Sequence, residues 1–180
     1  IWKLDITKPV VQLVDQFQYI YERDIEHTMT GQTQKVDVYF SEIKISFKNV
    51  ETGLLYFLQD NGYGDSLLLE INGSLPLIKN NTRLITLDGL TRISDIEVDT
   101  FLKKIYVVAG ALTSEIYQYN YDFDRLPLNE NCNIDFLKMP TDWGVITNIE
   151  VDVNTGYIYA IISTRYDNSG VVKINAKDME

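Results

Sequence analysis

Ile-Ser-Asp-Ile-Glu-Val-Asp, residues 93–99, is the stretch that decides the fold, because the chain contains it in three related forms. The other two are Phe-Ser-Glu-Ile-Lys-Ile at 40–45 and Ile-Thr-Asn-Ile-Glu-Val-Asp at 146–152, which gives a constant spacing of 53 residues. A fixed period of this size is typical of repeat proteins, whose units bury their apolar faces against one another. The sequence therefore predicts a repeated architecture.

Two further strand-like segments follow each opening stretch. Apolar and aromatic residues come first, at 54–57, 105–108 and 158–161, and alternating runs come next, at 67–72, 115–120 and 171–175. β-Branched and aromatic residues favour strands, and a period of two places the apolar side chains on one face. Because segments 84–87 and 134–139 suit a fourth strand, we expect four short strands in each unit.

The first 39 residues differ from the repeats that follow. Residues 1–5 have the third-strand pattern, and 10–14 suit a fourth strand. Residues 10–26 partly fit a helical spacing, whereas 18–39 fit a hairpin around 29–32. The predicted organisation is a single domain, 1–180, with units at 40–92, 93–145 and 146–180, and with 1–39 as the end of a preceding unit plus an insertion.

The repeated motifs resemble the blades of a β-propeller. The motifs at 93–99, 104–108 and 116–120 are similar to those of the NHL, strictosidine-synthase-like and YWTD (low-density-lipoprotein-receptor type) propellers, although only a tyrosine of the YWTD signature is kept. The resemblance covers most of residues 40–175 and implies an all-β fold of about three four-stranded blades. Since a propeller closes with roughly four to eight blades, we expect a fragment of a larger ring that belongs to a longer polypeptide.

Composition narrows the classes of partner. The chain carries 26 Asp and Glu against 16 Lys and Arg, a net charge of −10, so its field repels nucleic acid. No apolar run approaches the roughly 18 residues that a membrane-spanning helix requires. The expected partners are other proteins or the rest of the parent chain.

Catalytic motifs are sparse. His27 is the single histidine and Cys132 the single cysteine, and no nucleophile elbow accompanies them. The sequence therefore predicts a non-catalytic protein-binding or structural module without a cofactor.

An alternative function comes from three polar residues at one position of the opening strands, Glu42, Asp95 and Asn148. In a propeller they could surround the central channel, either as the polar lining of a wet channel or as oxygen ligands of calcium. The resemblance implies the second possibility, because strictosidine-synthase-like and lactonase-like propellers include calcium-dependent hydrolases. In that case these residues would hold the ion, and the ion would polarise a carbonyl or activate water.

Twelve tyrosines form the other unusual feature. Those at 56, 106 and 159 recur at one repeat position and suit packing between units. The insertion and loop tyrosines suit protein contacts, although they could equally cover sheet edges; they are Tyr19, Tyr21, Tyr63 and Tyr166.

Two triplets match the acceptor pattern for N-glycosylation, at Asn72 and at Asn80. Both fall in the long connection after a predicted third strand, where a glycan could reach solvent. They favour an extracellular or cell-surface location, although such triplets also arise by chance.

Overall fold

The protein is an all-β chain built from antiparallel sheets. The computed structural model describes residues 2–5, 12–16, 20–27, 32–40, 43–59, 65–76, 79–110, 114–126, 136–138, 144–163 and 169–176. The prediction of an all-β fold is confirmed.

Two hairpins precede the larger sheets. Strands β1 (Trp2–Asp5) and β2 (Gln12–Gln16) form one, and β3 (Ile20–His27) and β4 (Gln32–Tyr39) form the other. Residues 18–39 thus contain the predicted hairpin, and the helical alternative for this segment is wrong.

Three sheets follow, each made of strands that are consecutive in the chain. Sheet 1 contains β5 (Ile43–Lys48), β6 (Leu54–Gln59), β7 (Ser66–Asn72) and β8 (Thr82–Leu87), with a 3-10 turn at Lys79–Asn81. Sheet 2 contains β9 (Asp95–Asp99), β10 (Lys104–Ala109), β11 (Glu115–Tyr119), β12 (Arg125–Leu126) and β13 (Phe136–Lys138). Sheet 3 contains β14 (Val145–Asp152), β15 (Tyr157–Ser163) and β16 (Ser169–Asn175).

The strand count differs between the sheets. Sheet 1 has four strands, as predicted. In sheet 2 the outermost position is shared, because both β12 and β13 pair with β11. Sheet 3 has three strands among the described residues.

The core lies between the sheets. One apolar cluster joins sheets 1 and 2 and includes Tyr56, Leu58, Ile96, Ile105 and Val107. A second cluster joins sheets 2 and 3. Sheet 2 therefore contributes alternate side chains to two different neighbours, as the period of two in a strand requires.

Strand β10 shows this division most clearly. Ile105 and Val107 face sheet 1, whereas Tyr106 and Val108 belong to the cluster shared with sheet 3, and all four are 0% exposed. A strand covered on both faces has a nearly continuous apolar sequence, which explains why β10 lacks polar alternation.

The other face of sheet 1 is covered in part. Leu69 and Ile71 of β7 are buried there with Phe40, and Val38 of β4 packs against the same cluster. Val38 therefore places the second hairpin against part of this face.

Candidate interaction surfaces

The turn between the first and second strands is built in the same way in all three sheets. Asn49 Oδ1 accepts hydrogen bonds from the backbone N–H groups of Glu51 and Thr52, at 3.1 and 3.2 Å. Asp99 Oδ1 accepts from the two equivalent groups of its own turn at 2.8 and 2.9 Å. Asp152 Oδ1 accepts from Asn154 N at 3.0 Å. An Asx side chain that accepts hydrogen bonds from the backbone N–H groups of its own turn stabilises the conformation of that turn.

The last residue of each turn has a positive φ. Gly53 and Gly156 have φ of 74° and 71°, which glycine adopts at little cost, but Lys103 occupies the same position with φ of 59°. The Lys103 ammonium group donates a hydrogen bond to a carboxylate oxygen of Glu51 in the neighbouring turn. This bond lowers the pKa of Glu51 and joins the turns of sheets 1 and 2.

Tyr121 strengthens the same junction. Its hydroxyl lies 3.2 Å from Glu51 Oε2 and 3.3 Å from the carbonyl oxygen of Asp99. Burial, followed by the hydrogen bond to Glu51, raises the pKa of Tyr121 to about 12. The phenol therefore stays protonated and able to donate near neutral pH.

These turns carry two of the most exposed large apolar side chains among the described residues. Val50 is 72% exposed and Phe101 is 67% exposed, while Asn49 and Asp99 beneath them are fully buried. We call residues 49–53 and 99–103 the turn rim. It presents apolar groups on a backbone that side-chain hydrogen bonds hold in place.

Two of the three predicted metal ligands meet between sheets 2 and 3. Asn148 Nδ2 donates to Asp95 Oδ2 at 2.9 Å, and Ile149 N donates to the same oxygen at 2.8 Å. These hydrogen bonds to Asp95 thus connect β9 of sheet 2 with β14 of sheet 3. Glu42 lies outside the described residues, and the cross-strand register places Ile45 of sheet 1 at the position of Asp95 and Asn148.

A second carboxylate at this junction has an unusual environment. Burial, with smaller contributions from the charges of Glu150 and Asp95, raises the pKa of Glu97 to about 7. Three acidic groups therefore share one junction. Within the described residues, however, no group of three or more His, Cys, Asp or Glu side chains is arranged to hold a metal ion.

The predicted contact tyrosines mostly fall where the structure gives no description. Tyr19, Tyr63 and Tyr166 lie outside the described residues, and Tyr21 is described only by its backbone, which pairs with Val38. Their role in protein contacts stays a prediction.

The glycosylation acceptors lie at the two ends of the connection between β7 and β8: Asn72 is the last residue of β7, and Asn80 belongs to the 3-10 turn before β8. Asn80 is exposed, whereas Asn72 is partly buried and its Oδ1 accepts hydrogen bonds from Ser74 N and Ser74 Oγ at 3.1 and 2.6 Å. Because Asn72 pairs with Leu54, this connection lies at the same end of sheet 1 as the turn rim. Attachment of glycans stays a prediction.

The turn rim was not predicted from the sequence. The available signal was an Asx residue four positions before glycine, at 49–53 and 152–156. In sheet 2 the same turn contains Lys103 in place of glycine, so the third example was hidden.

No protein-family model matches the chain, and neither does any curated protein. Over the part of the chain that the structure describes, no helix is long and apolar enough to span a bilayer.

Proposed function

We propose that the chain is a non-catalytic structural and protein-binding module of the β-propeller type, and that it binds other proteins through the turn rim. The observation that carries the proposal is the exposure of Val50 and Phe101 on adjacent turns whose Asx residues are buried. Apolar groups on a preorganised backbone suit recognition, because little conformational entropy is lost on binding.

The propeller part of the proposal is supported by how the sheets stack. Each of the three sheets is separate and antiparallel, and its strands follow one another in chain order. Tyr56 of sheet 1 is buried against sheet 2, and Tyr106 of sheet 2 is buried against sheet 3. Hydrogen bonds from Asn148 and Ile149 to Asp95 hold two first strands side by side, as expected for strands near a common axis.

The chemistry of the turn rim favours a protein partner. An aliphatic group and an aromatic ring lie beside a charged pair, Glu51 and Lys103. Protein interfaces combine an apolar centre that contains aromatic residues with a polar surround. The net charge of −10 disfavours a polyanion at this surface.

Quantitative co-purification from the cells that produce the protein tests this proposal. The full chain is compared with Val50→Asp and Phe101→Asp, and the matched control is Ile43→Asp. Ile43 is 44% exposed and lies at the opposite end of sheet 1. We expect one set of proteins to be retained by the unaltered chain and by the control, and lost from both rim variants. If all four baits recover the same proteins, the turn rim is not the binding surface.

The calcium-dependent enzyme class gives a different expectation. Calcium that bound at Asp95 would stabilise the folded chain in proportion to its concentration, and Asp95→Asn would abolish that effect. The binding-module proposal predicts the same thermal midpoint in calcium and in chelator. A calcium-dependent rise that Asp95→Asn removes would establish the ion site on which the enzyme alternative depends.

A further inference from the structure

One cross-strand pair occupies the same position in all three sheets. It is Leu58 with Leu68 in sheet 1, and Val108 with Ile116 in sheet 2. In sheet 3 it is Ile161 with Val171. In each case the second strand contributes the residue two positions after the recurring tyrosine, at 56, 106 and 159.

The first two pairs are fully buried. Leu58 and Leu68 are 0% exposed in the cluster that sheets 1 and 2 share, and Val108 and Ile116 are 0% exposed. The second pair is covered by sheet 3. The covering side chains are aliphatic residues of its first two strands, Ile149, Val151, Ile158 and Ala160.

The third pair is open. Ile161 is 46% exposed and Val171 is 68% exposed, although the residues at the equivalent positions of sheets 1 and 2 are completely buried. Lys173 lies on the same face, and its ammonium nitrogen is 3.6 Å from the centre of the Tyr157 ring. We call this surface, made of Tyr157, Tyr159, Ile161, Val171 and Lys173, the open face of sheet 3. Adjacent exposed apolar side chains of this kind mark an interaction surface.

We propose that the open face of sheet 3 binds a further antiparallel β-sheet, supplied by polypeptide outside residues 1–180. This sheet carries aliphatic residues at the positions that Ile149, Val151, Ile158 and Ala160 occupy in sheet 3. The two covered faces establish the chemistry, because equivalent faces of sheets 1 and 2 are both buried by aliphatic side chains of the following sheet. The open face continues this series of interfaces by one step.

A second copy of the chain suits this surface less well. The covering face of sheet 2 is already packed on sheet 1, and that of sheet 3 is packed on sheet 2. The corresponding face of sheet 1 presents exposed Ser46 and Lys48 where sheet 3 has Ile149 and Val151. Among the described residues, no face with aliphatic side chains at all four covering positions is therefore left for another copy, and a net charge of −10 on each chain opposes self-association.

The test uses the chain's own sheet as the probe. Residues 122–176 are repeated directly after Ala176, because Ala176 has the position after the third strand that Tyr121 has in sheet 2. The added copy of sheet 3 then follows the original one with the natural connection. Both the original and the extended chain carry Cys132→Ser and Ile161→Cys, the latter in the first copy only, and the rate of labelling by iodoacetamide is measured.

We expect labelling at position 161 to slow at least about tenfold in the extended chain, because the thiol then reacts only after local opening. The matched control is Val50→Cys, which is 72% exposed on the turn rim and reacts equally fast in both chains. Equal rates at position 161 in the two chains overturn the proposal. Protection in the original chain that grows with its concentration also overturns it, because a second copy is then the occupant.

If the extended chain does not fold, the full chain is titrated with a synthetic peptide of residues 145–163, which contains β14 and β15. Slower labelling at position 161 supports the proposal. An unchanged rate at the highest soluble concentration of a peptide whose circular dichroism shows the folded hairpin overturns it. Loss of partners from the rim variants has no bearing on this result, because the turn rim and the open face of sheet 3 are separate surfaces.

Discussion

Strands β10 and β15 are equivalent second strands with similar sequences, yet their surroundings differ. In β10, residues from Ile105 to Ala109 are all buried. In β15, Ile158, Ala160 and Ile162 are buried, but the residues between them are partly or largely exposed. The sequence of a strand in this chain therefore does not determine its burial, since that depends on whether sheets lie on one side or on both.

This difference separates two sources of stability. Sheet 2 is held by apolar contacts on both faces, whereas sheet 3 is held on one. A side chain on the far face of sheet 3 contributes little until another sheet covers it, because the hydrophobic effect is proportional to the apolar area removed from water. Matched substitutions in the two sheets measure this difference directly.

The largest effect is expected for the recurring tyrosine. Tyr106→Ala removes a ring that is 0% exposed and leaves a cavity between sheets 2 and 3, so the free energy of unfolding falls by about 3–5 kcal/mol. Tyr159→Ala acts on the open face and costs about 1 kcal/mol or less. Urea unfolding followed by circular dichroism measures both values. Equal losses would show that the two faces are covered alike.

A smaller effect, dependent on pH, is expected at Glu97 and its counterpart Glu150. Because the folded-state pKa of Glu97 is raised from 4.5 to about 7, the folded chain binds a proton more tightly than the unfolded chain. The stability that Glu97 contributes is therefore complete below pH 4.5 and is lost as the pH rises through about 7. Since the group is partly exposed, the expected fall is about 1–2 kcal/mol.

Glu97→Gln removes this pH dependence and stabilises the chain above pH 7. Glu150 lies on the open face of sheet 3, where it pairs with Tyr159. Glu150→Gln removes only the repulsion between the two carboxylates, so the pH dependence of stability is reduced but remains. Chemical unfolding across this pH range distinguishes the two variants. A steeper dependence in Glu97→Gln than in the unaltered chain would contradict the assignment.

The smallest effects are expected in the turns that connect the first strand of each sheet to the second. No atom lies within 4 Å of a β-carbon added at Gly53, so Gly53→Ala costs only the left-handed backbone penalty, about 1 kcal/mol. Lys103→Gly relieves the same penalty and gives up only the exposed bond to Glu51, which contributes little, so we expect a small net gain in stability. Thermal unfolding measures both. Opposite signs for the two variants support a common turn geometry, and a loss in both argues against it.

Much of the strand arrangement was predictable from the sequence. The alternation of apolar residues located the strands of all three sheets to within a few residues. The constant spacing of 53 residues did not hold between sheets 1 and 2, because the register gives Ile45, and not Glu42, the position of Asp95. The insertion was ambiguous because its apolar spacing fits either a helix or a hairpin. The division of the last strand of sheet 2 between β12 and β13 left no signal in the alternation, since β12 contains only two residues.

The surfaces were harder to predict. Their repeat positions predicted that Asp95 and Asn148 lie close together. The two side chains do meet, but they form a hydrogen bond between two strands. Val50 and Phe101 are single apolar residues in turns, and only the fold shows that Asn49 and Asp99 lie buried beneath them. The exposure of Ile161 was equally hidden, because its local pattern matches that of the buried Val108.

The consecutive strand order within each sheet also has a consequence for biosynthesis. Every pairing in sheets 1 to 3 joins segments that are close along the chain, so a sheet can be completed soon after its last strand leaves the ribosome. Each finished sheet then offers an apolar template to the one still being translated. Translation from the amino terminus thus follows the same direction in which the sheets cover one another. The most recently translated sheet therefore always has one apolar face that no later sheet has yet covered.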